Sequence, residues 1–187
     1  MNDRVLIFAG IIVGLAVADQ LLSLHRLLKR RRTVLWDPLL LGVAGLVMIT
    51  LVQVWWSIAD TRPVPLTIGE FLPMLFGLTL LFLLAAASMP DDADASADGF
   101  DLRKYYSEHQ RYLWTLYTVS GLSMVLTRLL EPQAEKVGFY TAHNAIDVAA
   151  LVIMSTLIVV RNRTWHGIVI VALFFSGPGR WLSITLD

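Results

Sequence analysis

His143 and Asp147 stand four residues apart, which puts both on one face of a helix. An imidazole titrates near neutral pH, and a carboxylate on its own face can share a proton or a cation with it. Asn144 lies between them in the chain. Gln53, Glu70, Arg128 and Arg180 fall near the same ends of other apolar runs. If these groups point inward, they form one hydrated, mixed-charge hollow, with Glu70 and Asp147 balanced by Arg128 and Arg180. Such a hollow admits an ion, a proton or a small polar solute. The competing reading is structural: Glu70, His143 and Arg128 lie within about a turn of a run's end, where they reach water or pair across helices, and the deeper Asp147 can be capped by Asn144 or paired to Arg128. Asp19, beside Gln20 in another apolar run, marks a second polar point, a proton or cation relay toward Asp147 or a bond to a neighbouring hydroxyl or Arg.

The remaining chemistry is sparse. His25, His109 and His166 fall at a common level and are the candidate metal ligands, but no two share a helix at i, i+4. With no cysteine, thiolate metal sites, iron–sulfur clusters and cysteine catalysis are excluded. Lys29, Lys104 and Lys136 all lie outside the apolar runs, which excludes a buried Schiff-base lysine. Ser176, before Gly177-Pro178-Gly179, shares only a depth with His143. There is no Gly-rich phosphate loop, H-E-x-x-H or nucleophile elbow. These observations point away from an enzyme and imply no cofactor.

The elements that must position these residues follow from composition. Of 187 residues, 56% are hydrophobic and 16% charged, against roughly 45–50% and about 25% for a soluble domain. Lys+Arg 15 balance Asp+Glu 15, so a nucleic-acid binder, which needs a basic surplus, is excluded. Six apolar runs, at 5–24, 39–58, 68–89, 112–130, 142–160 and 165–184, approach the ~20 residues a bilayer span needs. They are continuous and not alternating, so helices are expected and not a β-barrel. The expected fold is an all-α integral membrane protein, a single six-transmembrane-helix bundle over 1–187.

Ten of the fifteen basic residues fall in the loops after the odd spans: Arg26, Lys29 to Arg32, Arg103, Lys104, Arg111, Arg161 and Arg163. That bias places those loops in the cytoplasm and both termini outside. Trp36, Trp114 and Trp165 then fall at the inner interface, and Trp55, Trp56 and Trp181 at the outer one. Ala16-Val17-Ala18 gives the first run some likeness to a signal peptide, but the run continues to a basic cluster that resists translocation, so it is read as retained.

Residues 90–99 read as an acidic, flexible cytoplasmic loop without the spacing of a calcium loop. Residues 100–111 read as a cytoplasmic extension of span four, capped by Asp98 with Asp101 in the first turn. Its Tyr105-Tyr106 pair is expected to anchor at the headgroups or to contact another subunit. Arg26, Lys29, Arg30, Arg31 and Arg32 set topology and are placed to touch anionic lipid. Gly10/Gly14, Gly42/Gly45 and Gly121 mark close-packing faces, and a homo-oligomer is expected.

The run His25-Arg26-Leu27-Leu28-Lys29-Arg30-Arg31-Arg32, then Val52-Gln53-Val54-Trp55-Trp56, then Tyr105-Tyr106 with Arg111-Tyr112-Leu113-Trp114, resembles small multi-pass proteins of the bacterial inner membrane that have no characterised activity. The resemblance covers about two thirds of the chain and implies a location only. Three functions follow from the residues: a channel or transporter for a small ion or polar solute, a non-catalytic membrane scaffold or subunit, and a metal- or haem-binding redox protein.

Overall fold

The structure is a computed structural model that describes residues 3–59, 68–91, 100–130 and 142–176. Among these the chain is nearly all helical. Six helices follow in order: α1 (Asp3–Lys29), α2 (Pro38–Ala59), α3 (Ile68–Ala87), α4 (Leu102–Leu130), α5 (Ala142–Val159) and α6 (Arg163–Ser176). Two of them carry stretches long and apolar enough to cross a membrane, Val5–Lys29 and Pro38–Ile58.

Local sequence explains where several helices begin. Asp37 precedes Pro38, which suits the first helical position because proline lacks an N–H to leave unbonded. The Asp37 carboxylate accepts the Leu39 amide at 3.3 Å, and its carbonyl accepts the Leu41 amide at 3.2 Å. Asp101 caps α4 by accepting the amides of Arg103 at 2.8 Å and Lys104 at 3.1 Å. Asn162 caps α6 through Thr164 at 2.9 Å and Trp165 at 3.4 Å. Each cap satisfies amides that the first turn leaves without partners. Asp101, expected in the first turn of α4, is therefore its cap, while Asp98 lies outside the described residues.

Helix α4 is continuous from residue 102 to 130, as expected, but its first turns do not stand clear of the bundle. Leu102, Tyr105, Tyr106 and Gln110 are buried. The reason is periodic: Leu102, Tyr105, Tyr106, Gln110, Leu113, Trp114 and Tyr117 recur at three- and four-residue steps, one continuous stripe. Trp114, expected in an interfacial belt, is fully buried in this stripe, while Trp36, Trp55 and Trp165 are exposed.

Two short strands tie connections together. β1 (Val34–Leu35) and β2 (Phe100–Asp101) pair in parallel, Val34 opposite Phe100 and Leu35 opposite Asp101. The pair joins the α1–α2 connection to the segment entering α4. Side-chain bonds described below bring the α5–α6 connection to the same place. This end of the bundle, where three connections meet, is called the connector end.

Helix α4 packs against α3 and α5, α1 against α3 and α2, and α2 against α6. The α2–α6 seam uses small residues. A Cβ on Gly42 would meet Ile170 at 2.9 Å, and one on Gly45 would meet Phe174 at 2.9 Å. Gly121 lets Leu151 of α5 approach to 2.7 Å from the same hypothetical atom. Gly14 differs: a Cβ there meets nothing within 4 Å. A Cβ on Gly10 would meet only the Trp55 indole, at 3.8 Å, so among the described residues the Gly10/Gly14 pair makes no close seam.

Side chains divide in an unusual way. The core contains Leu40, Val47, Leu51, Leu81, Leu84 and Leu157, but also Gln20, Ser23, Asp37, Ser88, Gln110, Ser120 and His166. The outer faces of the helices carry Ile7 (63% exposed), Leu15, Val52, Phe76, Val152 and Phe175 (80% exposed).

Candidate functional site

The described residues gather their buried polar groups at the connector end. Tyr106 and Trp114 come from α4, His166 from the first turn of α6, Val160 from the end of α5 and Asp37 from the cap of α2. The Trp114 indole Nε1–H donates to the Tyr106 hydroxyl oxygen at 3.0 Å. The Tyr106 hydroxyl is in turn hydrogen-bonded to His166 Nδ1. His166 Nε2 lies 2.8 Å from the Val160 carbonyl oxygen.

These contacts fix the direction of every proton. A carbonyl only accepts, so Nε2 carries the imidazole hydrogen. That leaves Nδ1 as the acceptor, and Tyr106 as the donor to it. The chain runs Trp114 to Tyr106 to His166 to Val160, each group donating to the next. The rings are held nearly perpendicular: Tyr106 and His166 at 88° with centroids 5.6 Å apart, Trp114 and His166 at 72° and 6.1 Å.

The end point has a physical reason. The last carbonyls of a helix have no amide partners within it. Gln110 Nε2 donates to two such oxygens of α5, Leu157 at 3.0 Å and Val160 at 2.9 Å. His166 adds a donor to Val160. Tyr105 does the same for α3, donating its hydroxyl to the Ala87 carbonyl at 3.1 Å. The first turns of α4 thus satisfy the C-termini of two neighbouring helices that would otherwise be buried with bare carbonyls.

An ion pair, buried on its carboxylate side, closes the cluster. Arg163 Nη2 donates to Asp37 Oδ1 at 2.6 Å, and the Asp37 side chain is only 2% exposed. Burial pushes the Tyr106 phenol up to about 12 from an ordinary value of 10.0. The Trp114 hydrogen bond and the Arg163 charge oppose that rise, and the Asp37 carboxylate adds to it. Tyr106 is thus a neutral donor at physiological pH.

Further along the bundle, Gln20 Nε2 donates to the Ala44 carbonyl at 2.7 Å and to Ser88 Oγ at 3.0 Å, joining α1, α2 and the end of α3. Thr50 and Tyr117 share a hydrogen bond of 2.6 Å between α2 and α4. Among the described residues, four buried oxygens find no donor: Gln20 Oε1, Asp37 Oδ2, Thr118 Oγ1 and Ser120 Oγ.

The residues singled out from sequence are distributed differently. Gln53 on α2 and Asp147 on α5 are half-buried, and Asp147 has an interaction partner. Asp19 is half-buried on α1, beside Gln20, whose Nε2 makes two hydrogen bonds. Glu70, Arg128, His143 and Asn144 sit on described helical backbone, but their side chains, and all of Arg180, lie outside the described residues. Near that end, a groove of about 510 Å³ between α3 and α4 is lined among the described residues mainly by Leu72, Pro73, Phe76, Val119, Leu122 and Leu126, an apolar set.

The three histidines singled out as candidate metal ligands differ in state. His25 is exposed. His109 is stacked on Tyr105, with centroids 4.1 Å apart, and its Nδ1 lies 3.0 Å from the Tyr105 carbonyl. His166 has both ring nitrogens engaged within the protein, which leaves neither for a metal. Among the described residues no group of three His, Asp or Glu side chains is placed to hold a metal ion.

Sequence reasoning read Tyr106 as a surface anchor and did not single out Asp37, Gln110 or Arg163. The stripe on α4 was the available signal, since it places Tyr106 and Gln110 in line with Leu113 and Trp114. No family model, curated protein or solved structure matches this chain.

Proposed function

We propose that this chain is a six-span protein of the bacterial inner membrane whose bundle serves as a non-catalytic scaffold or subunit. The observation that carries this reading is the division of its side chains. Large apolar groups face outward along the helices, while the buried polar groups of the connector end donate into helix-terminal carbonyls. Lipid removes the penalty for exposed Ile7, Val152 and Phe175, and it penalises any carbonyl left bare. A bundle built for that solvent turns its polar groups inward and uses them as cross-links between helices. The odd-loop basic residues put the connector end in the cytoplasm.

The chain has no cysteine, so topology is open to single-cysteine labelling without background. Under this reading, Arg62→Cys and Lys136→Cys react with a membrane-impermeant maleimide from outside the cell. Arg31→Cys and Asn162→Cys react only after the membrane is opened. Labelling of all four in a protein released by alkaline washing refutes the membrane reading.

A second reading, passage of a small ion or polar solute, is favoured by the four buried oxygens that find no donor among the described residues. A buried polar atom needs a partner, and a file of solvent along α1, α2 and α4 supplies one. Gln53, Glu70, Arg128, His143, Asn144, Asp147 and Arg180 then form the mouth on the opposite side, with Asp19 as a relay. Purified protein in liposomes would show flux that falls with Asp147→Asn. Absence of flux, with loss of stability in Asp147→Asn, leaves the scaffold reading standing.

A further inference from the structure

The strand pair places two basic segments, 70 residues apart in the chain, at one end of the molecule. Lys29, Arg30, Arg31 and Arg32 close α1 and enter β1, while Arg103 and Lys104 open α4 directly after β2. β1 and β2 are hydrogen-bonded neighbours, and the Phe100 amide donates to the Thr33 carbonyl at 3.1 Å. Strand neighbours lie about 4.8 Å apart, so the two segments flank a single small ladder.

All six cationic residues are exposed. Among the described residues none of the six is ion-paired; the two described pairs, Arg26 with Asp91 and Arg163 with Asp37, use other cations. The nearby Asp101 carboxylate is turned to the amides of Arg103 and Lys104, where it caps α4. The α1 cluster is also held in shape. Thr33 returns both its amide, at 2.9 Å, and its hydroxyl, at 3.0 Å, to the Arg30 carbonyl. Beside the charges stand exposed apolar groups: Leu28, Leu35 (67% exposed) and Trp36.

From this arrangement we infer that Lys29 to Arg32 together with Arg103 and Lys104 form one binding surface for anionic phospholipid headgroups. Resting on the six-span reading, the inference extends its lipid contact from one cluster to two. The phosphodiester is the recognised chemistry. Guanidinium forks bind phosphate oxygens in pairs, and Trp36 and Leu35 enter the boundary between headgroup and acyl chain as amphipathic and apolar groups do. The six charges are fixed by backbone pairing and not by long flexible linkers, so binding to both clusters requires little further ordering of the protein.

The full-length protein is reconstituted in bilayers of about four parts phosphatidylcholine to one of phosphatidylglycerol. The association of spin-labelled phosphatidylglycerol relative to spin-labelled phosphatidylcholine is then measured. Wild type is expected to prefer the anionic lipid. Arg103→Gln/Lys104→Gln, which leaves the topology-setting α1 cluster whole, lowers that preference by up to about fivefold per charge removed. Arg31→Gln/Arg32→Gln lowers it similarly, Arg103→Lys retains it, and high salt abolishes it in all. Equal association of both lipids with correctly inserted wild type overturns the inference. A loss confined to the α1 pair, with Arg103/Lys104 silent, overturns the joint surface. Failure of the protein to insert at all is a separate result, which refutes the six-span reading instead.

Discussion

Replacing Tyr106 with Phe removes one oxygen and leaves the ring in place. That oxygen accepts the Trp114 indole N–H at 3.0 Å and its hydrogen goes to His166 Nδ1. Trp114 and His166 are both 1% exposed, so neither orphaned group can turn to solvent without opening the seam between α4 and α6. A buried donor or acceptor left unsatisfied costs about 1–3 kcal/mol. Two such groups, offset by the hydroxyl's own relief from burial, give an expected loss of about 2–4 kcal/mol. If the pair behaved as an ordinary side-chain bond between membrane helices, the loss would be only ~0.6 kcal/mol. Reversible unfolding in mixed micelles, followed by circular dichroism, separates the two values. A cycle with His166→Phe tests the cause. Once the imidazole is gone, Tyr106→Phe orphans only Trp114, so the double variant loses less than the two singles added. A Tyr106→Phe loss below about 0.5 kcal/mol, or strict additivity, would refute the clamp described here.

Other outcomes follow from the same contacts. The folded Tyr106 phenol titrates near 12, above its unfolded value near ten, so its contribution is intact below pH ~10 and lost as pH rises toward ~12. An alkaline melt should therefore show wild type destabilised across that window, with the slope reduced in Tyr106→Phe. Arg163→Gln leaves the buried Asp37 carboxylate without its cation; because Arg163 is 36% exposed and partly screened by solvent, the expected cost is about 1–3 kcal/mol, while Asp37→Asn, which retains an oxygen to cap α2, costs less; chemical denaturation of both variants checks the order. Gly42→Ala forces a methyl against Ile170 and should destabilise by about 1–3 kcal/mol, whereas Gly14→Ala faces open space and should be neutral or stabilising by up to about 1 kcal/mol. A destabilised Gly14→Ala whose melt depends on protein concentration would instead reveal a partner at that face.

The amino-acid order by itself determined that α1 and α2 are long apolar helices, because long continuous apolar runs, broken in α1 only by Asp19 and Gln20, admit little else. It determined that the segment entering the fourth apolar run continues into it as one helix, since no Pro or Gly separates the two. Tertiary structure decided what the polar residues near those helices do. Tyr106 carried the same local signature as a headgroup anchor, and only the arrival of α5 and α6 beside it supplies His166 and the bare Val160 carbonyl it serves. Asp37 carries no local signal of its role; its partner Arg163 lies 126 positions later in the chain. The joining of the two basic segments likewise depends on a parallel two-residue ladder that no periodicity announces. Helix formation is decided by neighbours within a few residues, but the partner of a buried polar atom is chosen by whichever segment packs against it, and that choice is made in space.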